Sequence, residues 1–170
     1  MSLKPAAALE RATPSRKFLD QGHVETVEKR YGFRIGDLGL LLLDRRAQCE
    51  MVPAPKASRI PGTPDWLMGV MNLRGGLVPV FDLRLLFELP ARANTGAPTG
   101  LVLDRGEYTA ALITDGYPLA LNALEALPDL PPLPAALRPY VPRAYKQSQE
   151  VWLEFDHRQL LASLAQRMTA

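Results

Sequence analysis

The chain has 170 residues, 47% hydrophobic and 22% charged, the proportions of a globular protein with a core and not of a disordered tail. Its net charge of +2 sits at the N-terminus, where residues 1–30 carry six basic and four acidic side chains while residues 31–170 carry fourteen of each. A charge-balanced body offers no electrostatic footprint for a nucleic-acid backbone. The single cysteine, Cys49, excludes a disulfide framework or a Cys-rich zinc site, and His23 and His157 leave little for metal or acid–base chemistry.

Residues 1–29 read as a charged N-terminal extension, partly helical or disordered, with Leu9, Phe18, Val24 and Val27 among its apolar residues. Neither an export signal nor a membrane span is visible: the longest apolar run, Leu38 to Leu43, is far too short to cross a bilayer. With the lone thiol, this points to the cytoplasm. The folded body occupies residues 30–170. Phe33 and Ile35 alternate with Gly32 and Arg34, Gly36-Asp37 supplies a turn, and Leu38 to Leu43 returns, which predicts a hairpin. Arg46 to Val52 alternates again, with Ala47, Cys49 and Met51 on one face and Gln48, Glu50 and Val52 on the other, until Pro53 and Pro55 end it.

Arg59 to Pro64 is extended, and Asp65 to Met68 reads as one helical turn broken by Gly69. Val70 to Leu73 leads through Arg74-Gly75-Gly76, a tight reversal, into a strand from Leu77 to Phe81. Asp82 then caps a short helix from Leu83 to Glu88, and Pro90 to Thr99 is a surface loop. Leu101 to Leu103 and Tyr108 to Ile113 form a second hairpin candidate, and Tyr117 to Leu121 a further short strand. Six prolines between Pro128 and Pro142 argue against regular structure there. Val151 to Phe155 is a last strand. Asp156 with Gln159 opens an amphipathic C-terminal helix whose Leu160, Leu161, Leu164 and Met168 share a face. Six or more short strands with one such helix make a mainly-β, barrel-like architecture.

No active site emerges. Cys49 on an apolar strand face reads as a buried, inert thiol, and His157 as an exposed residue of the helix's first turn. Asp82, Asp104, Asp115 and Asp156 each coincide with a turn or cap, where satisfying backbone N–H groups accounts for them. Arg74-Gly75-Gly76 lacks the lysine and helix-start spacing of a phosphate-binding loop. Arg74 carries donors suited to carbonyls or to Asp82, Gly69 marks either a helix stop or a close approach of two backbones, and Trp66 and Leu67 suit packing beneath the loop.

Residues 59–84 read R-I-P-G-T-P-D-W-L-M-G-V-M-N-L-R-G-G-L-V-P-V-F-D-L-R. This segment resembles the signature of the CheW family at nearly every fixed position, and weaker similarity runs from Tyr31 to about Leu164, including the turn Ile113-Thr114-Asp115-Gly116. The resemblance implies two intertwined five-stranded SH3-like barrels sharing a hydrophobic core. It further implies an adaptor without catalysis or cofactor, linking the cytoplasmic tip of a chemoreceptor to the regulatory domain of a CheA-type histidine kinase. The tip is a helical hairpin, so helix-in-groove recognition between the lobes is expected. Carried over position by position, the family's partner-binding residues fall on Glu50, Gly69 and Arg74. Two departures stand out: Gln48 occupies a place where the family often has an apolar residue, and the Pro-rich stretch 128–142 is unusual. Tyr31-Gly32-Phe33-Arg34-Ile35-Gly36, with the charged extension before it, is similar to the CheW-like proteins of type IV pilus systems, often called PilI. The competing expectation from another class is a small β-barrel that binds nucleic acid, which needs a basic groove with exposed aromatics.

Overall fold

The computed structural model describes residues 30–90 and 97–169. The reading of residues 1–29 and of most of the 90–99 loop therefore lies outside the described residues. Where alternation of apolar and small or polar residues predicts strands, strands form: β1 (Arg30–Ile35) and β2 (Leu38–Leu42) make the first hairpin, turning through Gly36 at φ +59°. The chain then builds β3 (Cys49–Pro53), β4 (Leu67–Leu73), β5 (Gly76–Phe81), helix α1 (Leu83–Leu86), β6 (Thr99–Leu103) and β7 (Ala110–Thr114). It returns with β8 (Leu119–Leu121), β9 (Glu125–Ala126), β10 (Arg143–Gln147) and β11 (Glu150–Phe155), and ends in helix α2 (His157–Thr169).

These strands form two curled sheets, so the protein is mainly β with a C-terminal helix. One sheet has the order β3-β6-β7-β5-β4; the other has the order β8-β1-β2-β11-β10-β9, its sixth member being the two-residue β9. The second sheet is made from the two ends of the described chain and the first from its middle. Parallel pairs, β2 with β11 and β5 with β7, join strands distant in sequence.

Each sheet buries both faces. Phe33, Ile35, Leu40, Leu153 and Phe155 from the second sheet meet Leu67, Phe81, Leu101, Leu103 and Leu112 from the first in one shared core, which α2 completes with Leu160 and Leu164. The opposite face of the first sheet packs Met71, Val78, Val80, Val102 and Ala111 inside its own curl. This double burial explains why β6 and β7 read as nearly continuous apolar runs. Inside the other curl, Trp152 is fully buried with Leu41 and Leu121. Gly32 and Gly39 are required there, since a Cβ would lie 2.4 Å and 2.7 Å from the indole ring. Arg34 stacks over that ring at 4.8 Å, and the buried Arg30 pairs with Glu154 at 3.0 Å.

Two local readings need correction. The stretch Asp65 to Met68 forms no helical turn. Only Asp65 and Trp66 turn, and β4 already begins at Leu67, because Leu67 is buried against the core and pairs with Phe81, the register shifting between Leu67 and Gly69. Strand β10 went unread, because its one buried residue is the small Ala144 and it offers no apolar alternation among Arg143, Lys146 and Gln147. The Pro-rich stretch forms no strand or α-helix, in line with its prolines; it holds one three-residue 3-10 turn, Arg138–Tyr140, and sends Leu137, Tyr140 and Val141 into the shared core. Asp82 caps α1 as anticipated, accepting from the N–H groups of Arg84 and Leu85 at 2.9 Å and 3.2 Å.

Candidate partner-binding site

Glu50 and Arg74 start on opposite edges of the first sheet, yet their side chains meet. Glu50 stands on edge strand β3, opposite Val102 of β6. Arg74 occupies the β4–β5 reversal at φ +51°, followed by Gly75 at φ +85°, two consecutive left-handed residues of the kind a two-residue hairpin loop demands. Asn72 fixes that loop, its Oδ1 accepting from the Gly75 N–H at 3.0 Å. The curl of the sheet carries the reversal round to β3, and Arg74 Nη2 donates to Glu50 Oε1 at 2.6 Å. Arg74 does not reach Asp82, which is occupied in capping α1.

The Arg74 side chain is 75% exposed and that of Glu50 38%, so the pair contributes roughly 0–1 kcal/mol to stability. What it does instead is display two opposite charges in a defined geometry at the rim of a hollow of about 480 Å³, beside Gln48, Cys49 and Arg105. The outward face expected for Glu50 is corrected: it shares the face of its partner Val102, which lines the inside of the first sheet's curl, and opens only at the curl's mouth, where Gln48 lines the same hollow.

Gly69 does not join them. It lies five residues from Arg74 along β4, about 16 Å in an extended strand. Its surroundings show a different role. Ser58 bridges to Val70 through two hydrogen bonds, Ser58 N–H to Val70 O at 2.8 Å and Val70 N–H to Ser58 O at 3.0 Å. The segment before β4 is thereby strapped along its edge. A Cβ at position 69 would sit 2.1 Å from the Ser58 carbonyl oxygen, and the residue has φ +133°. Gly69 is thus the close approach of two backbones, not a helix stop. The strap's far end is tied by an Arg59–Asp65 ion pair, and Trp66 stacks on Phe81 at 6.2 Å.

On the other side of Gln48, Asp104 and Arg105 lies a second, larger hollow. It is an apolar groove of about 1110 Å³ between the outer face of α2 and the first sheet, with Phe81, Tyr108, Leu161 and Met168 in its walls. Sequence reading missed it, although α2 carries a second small and apolar stripe, Leu161, Ala162, Ala165 and Met168, beside the core stripe of Leu160 and Leu164. Met168 is accordingly exposed, in contrast to the buried place expected for it.

An ion cluster closes one end of this groove. His157, expected on the surface, is fully buried, and its Nε2 lies 3.1 Å from Asp104 Oδ2. Arg158 donates to Asp104 Oδ1 at 2.9 Å and pairs with Asp44 at 3.1 Å, so the loops after β2 and β6 are both tied to the start of α2. The Arg158 hydrogen bond, aided by His157 and opposed by partial burial, holds the Asp104 carboxyl below the usual carboxylate range. Cys49 also departs from expectation: as part of an edge strand it is exposed and donates weakly from Sγ to Ala47 O at 3.5 Å. Partial desolvation of the sulfur, reinforced by the charges of Asp104 and Asp44, pushes the thiol pKa up, which disfavours the nucleophilic thiolate. Among the described residues no group of three His, Cys, Asp or Glu side chains converges as a metal ion would need, and no helix is long and apolar enough to cross a membrane.

Two intertwined sheets with a signature loop at the edge of one define a CheW-like module. The CheW-like domain model matches residues 32–165, so the chain belongs to that family. Protein PilI of Pseudomonas aeruginosa is 29% identical over 113 residues, covering 63% of this chain and 61% of PilI. Chemotaxis protein CheW of Helicobacter pylori is 32% identical over 88 residues, 52% of each chain. These alignments span half to three fifths of the relatives' length. The fold is shared with the scaffolding protein TtCheW from Thermoanaerobacter tengcongensis at a TM-score of 0.59 and 22% identity, covering 75% of this chain and 88% of that one. The nucleic-acid-binding alternative gains no support from these relatives.

Proposed function

We propose that the chain is a non-catalytic adaptor of a chemosensory system, coupling the cytoplasmic tip of a chemoreceptor to the regulatory domain of a CheA-type histidine kinase in the cytoplasm. The observation that carries this reading is the adjacency of two hollows of opposite character. One displays the Glu50–Arg74 charge pair; the other is an apolar groove along α2; and Gln48, Asp104, Arg105 and Thr109 belong to both. A body of this kind recognises by shape and charge, and binding one partner fixes the position of the other. The apolar groove suits one helix of a receptor tip, which would lay an apolar face against Leu161, Met168 and Phe81. The Glu50–Arg74 rim suits a polar partner surface, where paired charges give register and specificity more than affinity. Gly69 acts on that surface indirectly, through the strap it allows.

The PilI alignment and the Tyr31–Gly36 segment favour control of type IV pilus motility over flagellar swimming. Size-exclusion chromatography of the chain with kinase regulatory domain and receptor-tip fragment tests the coupling. Co-elution of all three at about 10 µM is expected for a signalling adaptor. Deletion of the gene tests the output, with loss of twitching and retention of swimming as the expected phenotype.

A further inference from the structure

We infer that Arg46 and Arg105 make the groove along α2 selective for an amphipathic helix that carries carboxylates at one end of its apolar stripe. The inference deepens the reading of this groove as a receptor-tip site, on which it rests for the identity of the helix, and names the charge pattern needed to enter it.

The groove changes character along its length. One wall is α2 from Arg158 to Met168, ten residues or about 15 Å of helix. The far end of that wall is apolar, lined by Ala165 and by Met168, which is 51% exposed. The near end is charged. Arg158 gathers two loops there, bonding to Asp104 at 2.9 Å and to Asp44 at 3.1 Å. Arg105 follows Asp104 in the chain and Arg46 lies two residues beyond Asp44, so the same guanidinium brings both to the start of α2.

These charges differ in how far they are already satisfied. Asp104 is engaged by Arg158 and by His157 Nε2, and Arg158 is shared between two carboxylates. Among the described residues, the exposed guanidinium groups of Arg46 and Arg105 have neither a hydrogen-bond nor an ion-pair partner. Over the whole lining, Arg46, Arg105 and Arg158 stand against Asp104 and Glu107, an excess of one positive charge.

A helix with apolar residues at i, i+3, i+4 and i+7 presents a stripe about 10 Å long, the length of wall between Leu161 and Met168. One further turn carries it to the Arg158 end. A carboxylate there meets two unpaired guanidinium forks beside an apolar wall. A lysine or arginine there meets like charge instead, and this repulsion discriminates as much as the attraction does. Apolar contact supplies the affinity, and the end charges set which helices enter and in which register.

The test titrates two synthetic helical peptides of about 18 residues into the isotope-labelled full chain. Both carry the leucine stripe; one turn beyond it, one has two glutamates and the other two lysines. Shifts of the Leu161, Ala162 and Ala165 amides are expected, with the glutamate peptide binding at least about fivefold more tightly at low salt. The preference should shrink as salt is raised and vanish in Arg46→Gln, Arg105→Gln, whose unchanged Tm shows that it folds. Equal affinities, a preference for lysine, a preference that survives the double variant, or no shift along α2 at about 1 mM of either peptide overturns the inference. Competition with a receptor-tip fragment tests the underlying reading separately. Glutamate preference without displacement leaves the charge-selective groove standing and removes the receptor tip as its occupant; displacement without glutamate preference does the reverse.

Discussion

A methyl group at position 69 has nowhere to go. It would stand 2.1 Å from a backbone oxygen that is itself pinned by two hydrogen bonds, on a backbone conformation that L-residues rarely adopt. Gly69→Ala is therefore expected to cost about 2 kcal/mol or more, read as a lowered Tm and loss of the Ser58–Val70 amide protection. Arg74→His is the opposite case. The exposed ion pair holds little stability, so Tm should stay within a few degrees while affinity for the kinase regulatory domain falls at least about tenfold. An equal fall in both would make Arg74 structural. Gly69 and Arg74 were legible from the signature segment and Glu50 from the wider family resemblance, but their division of labour was not. Glu50 and Arg74 are 24 residues apart on opposite sheet edges, and only the closing curl joins them. Cys49 was misread because alternation says which face a residue takes but not whether its strand lies at an edge. Alkylation at neutral pH should consequently be slow, governed by the raised thiol pKa, and only weakly accelerated by denaturant.

Strands and helices show the same mixture. Hairpin β1–β2, the Asp82 cap and α2 were readable because each has a local signal: a Gly-Asp turn, a capping aspartate, a 3.6-residue stripe. Strand β4 was not, since the burial of Leu67 against Phe81 overrides the local preference for a turn. Nor was the slot for Trp152, whose two glycines come from different strands. Gly32→Ala should lower Tm and perturb the indole fluorescence, because the added carbon overlaps the ring. At the start of α2, Asp104 gives a pH signature. Its folded pKa lies below the unfolded one, so the stabilisation is complete above the ordinary carboxylate range and is lost as pH falls through the folded value. Denaturant titrations from pH 7 to pH 3 should show an acid limb that is shallower in Asp104→Asn; an unchanged limb would mean that other carboxylates carry it.

Taken as one body, the chain folds its ends into one sheet and its middle into the other, the two sheets share one core, and the two hollows share four lining residues. In the proposed adaptor role, this adjacency would convert two binding events into one geometry. The paired-barrel outline was visible from the family signature, whereas the α2 groove was not, since its walls come from segments some 80 residues apart. The most direct measurement is a titration of receptor-tip fragment into the chain already saturated with kinase regulatory domain, followed by calorimetry and by the mass of the eluted complex. A ternary species with a Kd of tens of micromolar or tighter is the expected result. Mutual exclusion of the two partners, or silence from both at about 100 µM, would contradict the account.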